Sequence, residues 1–455
     1  MKKGLKTKPI PETSLDALLI SALESREARG IRRRLPEPTS ISSTTGLVDF
    51  SSNDYLSLAS SPALRDAFLK KLCAAPDILG SGGSRLLVNG QAHSALEARL
   101  AQFFGSQAAI LFNSGFDANV GFFSCVPQIG DVVVYDEYIH ASVHDGIRAS
   151  RASRAHYAFE HNSMPAFRAL LSKLLAERPE LQSGQSSLFV AVESLYSMDG
   201  TFAPLAEIVK ILDECFPQRN GYLVVDEAHA TGIYGPQGRG RVAQLGLEKS
   251  VLARLHTFGK ALAATGGAST LSFVPSLTTL TAVVLTNPLI RDYLLNYARS
   301  LIYTTSLSSA NIIAADTSFD MLMDGTAEQL SKGVLDLSRY FVEQLRPRLR
   351  NIPIHLLSLP LHQQSSLASP IIPIMTTRPR PLSAYLLARG MNARPITWPT
   401  VPKGKDRVRV CLHAGNTKAD VDRLIAAMLE WAKREIVVDR DAAKSTTTHV
   451  VQSKL

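Results

Sequence analysis

Cysteine is scarce in this chain. There are four in 455 residues, Cys73, Cys125, Cys215 and Cys411, far apart and without a Cys-x-x-Cys pair. Disulfide scaffolds and cysteine zinc clusters are thereby excluded, and mostly buried thiols in a reducing compartment are expected. Long apolar runs are missing too. The stretch 271–290 comes nearest, but Ser, Thr, Asn and two Pro interrupt it well short of the roughly 18 residues that cross a bilayer. No phosphate loop of the form G-x-x-x-x-G-K-[ST] exists: the two Gly-Lys pairs, Gly259-Lys260 and Gly404-Lys405, are followed by Ala261 and Asp406. Internal repeats are absent, and the one low-complexity segment is a Ser/Thr-rich stretch near the end. Acidic residues are fewer than basic ones, leaving a net charge of +9. The excess gathers at Lys2, Lys3, Lys6 and Lys8 and at Arg29, Arg32, Arg33 and Arg34, without the long aromatic-interleaved stripe of a nucleic-acid binder. Glu12, Asp16, Glu24 and Glu27 interrupt this region, unlike a mitochondrial presequence. An arm that draws in anionic substrates is the functional reading.

What is present fits a large enzyme. Hydrophobic residues make up 45% and charged residues 20%, ordinary for a globular protein with one large and one small domain. A charged amphipathic helix is expected over 14–34, ended by Pro36 and Pro38, and a strand at 48–50. Gly80-Ser-Gly-Gly-Ser-Arg85 reads as a flexible connector before a helix over 92–104. Strands at 108–112, 132–135, 188–192, 222–225 and 255–258 alternate with helices, which predicts a mostly parallel α/β sheet covered on both faces. A long helix over 310–350 opens the smaller part. The expected division is 1–60 arm and helix, 61–310 large domain, 311–437 small domain, and 438–455 a loose tail.

The chemistry concentrates between Gly221 and Lys260. The apolar run Tyr222-Leu-Val-Val225 ends in Asp226-Glu-Ala-His229, and Leu255-His256 leads into Thr257-Phe-Gly-Lys260. In open α/β sheets, ligands gather at such strand ends. A carboxylate and an imidazole facing an amine suit a carbonyl-bearing cofactor with a basic ring nitrogen, namely pyridoxal 5'-phosphate (PLP). Asp-Glu-Ala-His is also a nucleotide-motor box, but that reading fails without a phosphate loop. A zinc site would need further ligands beside Asp226 and His229, and none accompanies them, so no metal is expected.

Ten segments, taken together, resemble a known family. They are Ser51-Ser-Asn-Asp-Tyr-Leu56, Gly80-Ser-Gly-Gly-Ser-Arg85, Asn113-Ser-Gly-Phe116, Ile139-His-Ala-Ser142, Glu193-Ser-Leu-Tyr-Ser-Met-Asp-Gly200, Val225-Asp-Glu-Ala-His-Ala-Thr-Gly232, Gly238-Arg-Gly240, Thr257-Phe-Gly-Lys260, Tyr303-Thr-Thr-Ser306 and Pro399-Thr-Val-Pro402. In this order they resemble the α-oxoamine synthases, PLP enzymes of the fold type I (aspartate aminotransferase-like) architecture. The resemblance implies that Lys260 carries the cofactor and later serves as base, that Asp226 pairs with the ring nitrogen, and that His140 stacks on the ring. It implies that His229 and Ser197 bond the phenolic oxygen or its surroundings. Gly115 and Phe116 would hold the phosphate through backbone N–H groups, with Thr257 through its hydroxyl. Thr304 and Thr305 would reach the phosphate from the partner subunit of a homodimer with shared active sites. Arg409, helped by Asn53, would bind the amino acid's carboxylate, Arg32 would contact the acyl substrate, and Thr400 falls where a substrate contact is expected. The implied reaction condenses an amino acid with an acyl-coenzyme A and releases carbon dioxide, with L-alanine and pimeloyl-coenzyme A the expected pair, a step of biotin biosynthesis. A relative using another amino acid or acyl donor, serine palmitoyltransferase-like or secondary-metabolic, and a non-catalytic subunit are the alternatives.

Two departures from the family's pattern stand out. Thr397 occupies a position where bacterial members carry Arg, and residues 269–281 form an insertion behind the lysine. The terminal Ser453-Lys454-Leu455 matches the peroxisomal import tripeptide, so the import receptor is an expected partner and the peroxisome the expected location.

Overall fold

The computed structural model describes residues 13–29, 31–33, 47–80, 82–264, 281–360 and 367–452. Most of the 269–281 insertion, the N-terminal lysines, Arg34 and the terminal tripeptide lie outside the described residues. Twelve strands occur among those described: β1 (Val48–Asp49), β2 (Ala108–Phe112), β3 (Val132–Asp136), β4 (His156–Phe159), β5 (Leu188–Glu193), β6 (Gly221–Asp226), β7 (Ala253–Thr257), β8 (Ala282–Thr286), β9 (Ile371–Met375), β10 (Met391–Asn392), β11 (Arg394–Ile396) and β12 (Arg407–Cys411).

Seven of them form the central sheet in the order β2-β8-β7-β6-β5-β3-β4. Only β8 runs against the other six, since both of its pairings are antiparallel and the remaining ones are parallel. The strand sequences explain their position. Val132-Val-Val-Tyr-Asp136 and Leu188-Phe-Val-Ala-Val-Glu193 are buried at every residue, as a sheet covered on both faces requires. Their side chains alternate between two cores. Val132, Val134, Val190, Val192, Leu223 and Val225 pack on one face, and Val133, Phe189, Ala191 and Val224 on the other.

A second sheet, β11-β12-β9, is antiparallel and packs against the helices Pro379–Leu387 and Lys418–Gln452. Phe50 is buried in this second core, and β1 pairs in parallel with β10, so the segment around 48–50 joins the C-terminal half.

Several elements differ from the sequence expectation. The first helix spans Ser14–Ala28 rather than 14–34 and buries none of its residues. The stretch 310–350 is two helices, Ser309–Met323 and Thr326–Arg348, parted at Gly325, whose φ of 84° is left-handed. Ser309–Met323 packs with the large sheet through Ile312, Ala315, Phe319 and Leu322. The expected loose tail is helical through Gln452. An ion pair from Arg378 to Asp439 fastens that helix to the small sheet's surroundings. Of the four free thiols only Cys125 and Cys411 are buried.

Candidate active site

The parallel strands end together, and the site is built there. Asp226 closes β6 and lies in register with Glu193, which closes β5. The helix Gly115–Cys125 follows β2 and points its N-terminus at the same edge; Ser114 caps it, accepting the Asp117 N–H at 3.0 Å. A Cβ on Gly115 would sit 2.8 Å from Thr257 Cγ2, so only glycine lets the helix start approach β7 this closely. Phe116 is half exposed at the helix start, its ring edge-on to His140 at 6.5 Å.

Asp226 is fixed by two donors. Asn119 Nδ2 reaches one carboxylate oxygen at 2.9 Å and the Ala228 N–H reaches the other at 2.9 Å. Asn119 also donates to Ser142 Oγ at 3.0 Å, and that hydroxyl lies 2.7 Å from His140 Nδ1. One hydrogen-bonded line therefore runs from Asp226 to His140.

Lys260 stands three residues beyond β7, where Asp226, Glu193 and Arg409 act on it. Burial pushes its ammonium below the usual lysine range, and Arg409 pushes the same way against the pull of the two carboxylates. Glu193 moves in the opposite sense: burial and then the Asp226 charge raise it well above the usual carboxylate range. Fully buried His229 is held well below the ordinary imidazole value by burial, then by Lys260, Arg409 and His140. Its Nδ1 lies 2.7 Å from the Tyr55 hydroxyl. Arg409, on β12, donates to Asn53 Oδ1 at 3.0 Å and to the carbonyls of Ser197 at 3.0 Å and Ser51 at 3.2 Å. Thr257 donates to the Ala228 carbonyl at 3.4 Å.

The middle residues of Asp226-Glu-Ala-His229 divide by face. Glu227 turns away from the site and accepts from Ser194 Oγ (2.7 Å) and from the N–H groups of Arg241 (3.0 Å) and Val242 (2.7 Å). A Cβ on Gly240 would come within 2.7 Å of that carboxylate, and one on Gly238 within 2.8 Å of Gly232 Cα, which accounts for the two glycines of Gly238-Arg-Gly240.

The structure thus brings together Lys260, Asp226, His140, His229, Gly115, Phe116, Thr257, Ser197, Asn53 and Arg409. Thr304 and Thr305 lie against Asn113 of the same chain, whose Nδ2 donates to Thr304 Oγ1 (3.2 Å) and the Thr305 carbonyl (2.8 Å). Arg32 is exposed and pairs with Glu27 at 3.7 Å, and Thr400 is exposed on its loop; neither touches the groups above among the described residues. Residue reasoning missed Glu193, Tyr55, Asn119 and Ser142. Glu193 was detectable as a polar residue closing an apolar strand. Tyr55 and Ser142 stood inside recognisable segments, and Asn119 left no signal beyond its helix.

Parallel strands converging on a half-buried lysine, an anchored aspartate and a glycine-started helix define the fold type I architecture of PLP-dependent transferases. The chain belongs to the aminotransferase class I and II family, whose model matches residues 45–428. It is 45% identical over 419 residues to an 8-amino-7-oxononanoate synthase of Emericella nidulans, covering 91% of this chain and 95% of that one. It is 38% identical over 419 residues to the aminoacyl transferase sphA of Aspergillus fumigatus, covering 90% and 86%. A serine palmitoyltransferase from S. paucimobilis, solved with PLP and myriocin bound, superimposes with a TM-score of 0.74 at 24% identity, over 94% of this chain and all of that one. That last likeness carries the fold. No helix among the described residues is long and apolar enough to cross a membrane, and no group of three metal-ligating side chains occurs among them.

Proposed function

We propose that this protein is a PLP-dependent α-oxoamine synthase that joins an amino acid to an acyl-coenzyme A with loss of carbon dioxide. L-Alanine and pimeloyl-coenzyme A are the favoured pair, giving 8-amino-7-oxononanoate for biotin synthesis. The observation that carries this reading is that β6 ends in Asp226, anchored by Asn119 and the Ala228 N–H and in register with Glu193, with Lys260 three residues past the end of the neighbouring strand β7.

The residues fit the cofactor. The Gly115 cradle admits no Cβ, and the free N–H groups of a helix start suit a phosphate, with the Thr257 hydroxyl beside them. Asp226, held by Asn119 and the Ala228 N–H, would pair with the cofactor's ring nitrogen. PLP, when bound, supplies an aldehyde for an amine and an electron-accepting ring. Burial favours the neutral form of Lys260, so its amine would hold the cofactor's aldehyde and, when free, would serve as the base at the amino acid's Cα. Arg409, steadied by Asn53, orients the substrate carboxylate. His140, held by the Ser142 hydroxyl at 2.7 Å, would stack on the ring.

A second acyl donor is favoured by one observation: Thr397, not Arg, stands beside Pro399-Thr-Val-Pro402, and Arg380 is the guanidinium that reaches it, at 3.2 Å. A thiol-release assay across amino acids and acyl-coenzyme A donors decides. Turnover with L-alanine and pimeloyl-coenzyme A above all other pairs is expected. Thiol release from no pair, by cofactor-loaded protein, would overturn the reading.

The reading extends to assembly and location. A homodimer with shared sites is supported by exposed Ile78, Leu79, Leu86, Leu87 and Val88, which flank the contact of the Ser306 N–H with the Gly83 carbonyl at 3.0 Å. Ser453-Lys454-Leu455, as a free C-terminus, is proposed to direct import into peroxisomes. A fluorescent fusion lacking Leu455 should stay in the cytosol, and unchanged puncta would contradict this.

A further inference from the structure

A line of polar groups crosses the site from Arg409 to His229. Arg409 donates to Asn53 Oδ1 at 3.0 Å, the Tyr55 hydroxyl lies 3.3 Å from the same oxygen, and that hydroxyl lies 2.7 Å from His229 Nδ1. Tyr55 and His229 are both buried, on segments 174 residues apart.

A phenol has one proton and two candidate acceptors here. Asn53 Oδ1 is the longer contact and is already supplied by a charged donor, Arg409. His229 Nδ1 is the shorter contact and has no other partner among the described residues. We propose that Tyr55 is a positioning residue: it donates to His229 Nδ1, fixing the neutral imidazole as the Nε2–H tautomer, and Arg409 sustains that choice by occupying Asn53 Oδ1. His229 then keeps a hydrogen-bond donor, not an acceptor, at its free nitrogen. On the proposed function, which this inference rests on for its chemistry, that donor faces the cofactor's phenolic oxygen. The same line links the carboxylate-binding arginine to that imidazole.

The surrounding charges agree. Burial, then Lys260, Arg409 and His140, disfavour a cationic His229, and burial, then Cys411, keeps the Tyr55 phenol protonated against the opposing pull of Arg409. The stacked His413 ring, 6.5 Å away at 20°, confines the Tyr55 ring.

The test is a double-mutant cycle on the cofactor-loaded protein, read as the pH midpoint of its PLP absorbance. Tyr55→Phe is expected to shift that midpoint by about half a pH unit or more in the wild-type background. In the His229→Asn background it is expected to shift nothing. An equal shift in both backgrounds, or none in either, would overturn the proposal. Solid-state nitrogen-15 histidine spectra of the unmutated full chain, with His229 assigned by its loss in His229→Asn, need no Tyr55 variant. They are expected to show an unprotonated Nδ1, and a proton there would overturn the proposal even if Tyr55→Phe fails to fold. Neither readout involves turnover, so failure of the condensation assay stays distinct from failure of this inference.

Discussion

Several buried side chains near the sheet edge hold unusual protonation states, and each leaves a measurable trace. His256 is the cleanest, because it lies just outside the reacting groups. It is fully buried, its Nδ1 lies 2.9 Å from Thr231 Oγ1, and its ring packs 4.2 Å from Phe104. Burial, reinforced by Arg254, lowers it well below the ordinary imidazole value. A depressed histidine binds a proton on unfolding, so the stability it lends is present above its unfolded value and falls as the pH drops below that value. Each such group changes stability by up to about 1.4 kcal/mol per pH unit. Asp54, raised to about 7 by burial, works in the opposite direction, so the comparison must be with a variant. The stability gap between wild type and His256→Gln, measured by denaturant melts, should narrow as pH falls from 7 to 5. A gap independent of pH would contradict the buried neutral imidazole. This scale was partly legible in advance. Lys260, Asp226 and His229 stand out because their types at strand ends match one chemistry. Glu193 and Asn119 do not, since their roles arise only when β5 registers with β6 and when the helix Gly115–Cys125 brings Asn119 against Asp226.

The secondary elements follow the same logic. Unbroken apolar runs such as Val132-Val-Val and Leu223-Val-Val identify the buried strands to within a residue or two. The strand β4, His156–Phe159, escaped notice because it is an edge strand, largely open to solvent, with only Phe159 buried. The join at Gly325 was hidden by helix-compatible residues on both sides. Motif glycines that look like cofactor contacts turn out to serve elements instead. Gly240 at φ 96° lets the turn before Arg241 close on the Glu227 carboxylate, tying the loop after β6 to the next helix. Gly240→Ala combines a left-handed backbone with a clash against that carboxylate and should cost about 2 kcal/mol or more. Thermal and denaturant unfolding would show it; a loss below about 0.5 kcal/mol would mean that the glycine is not required there.

At the scale of the molecule, two cores meet around one edge, and the segment around 48–56 spans them. Phe50 packs in the C-terminal core while Tyr55 and Leu56 pack against the large sheet, so Asn53 and Tyr55 are held between Arg409 and His229. The exposed apolar residues 78–88 lie on the same side as Thr304 and Thr305. Replacing Leu79 and Leu87 together by Lys should convert a dimer into monomers in sedimentation analysis and reduce PLP retention. A dimer unchanged by both substitutions would move the interface elsewhere. The central claim is that the ε-amine of Lys260 carries the cofactor. Borohydride reduction of the PLP-loaded protein, followed by peptide mapping, should place the added pyridoxyl mass on the peptide containing Lys260. A label on another lysine, or none on this one, would contradict the account.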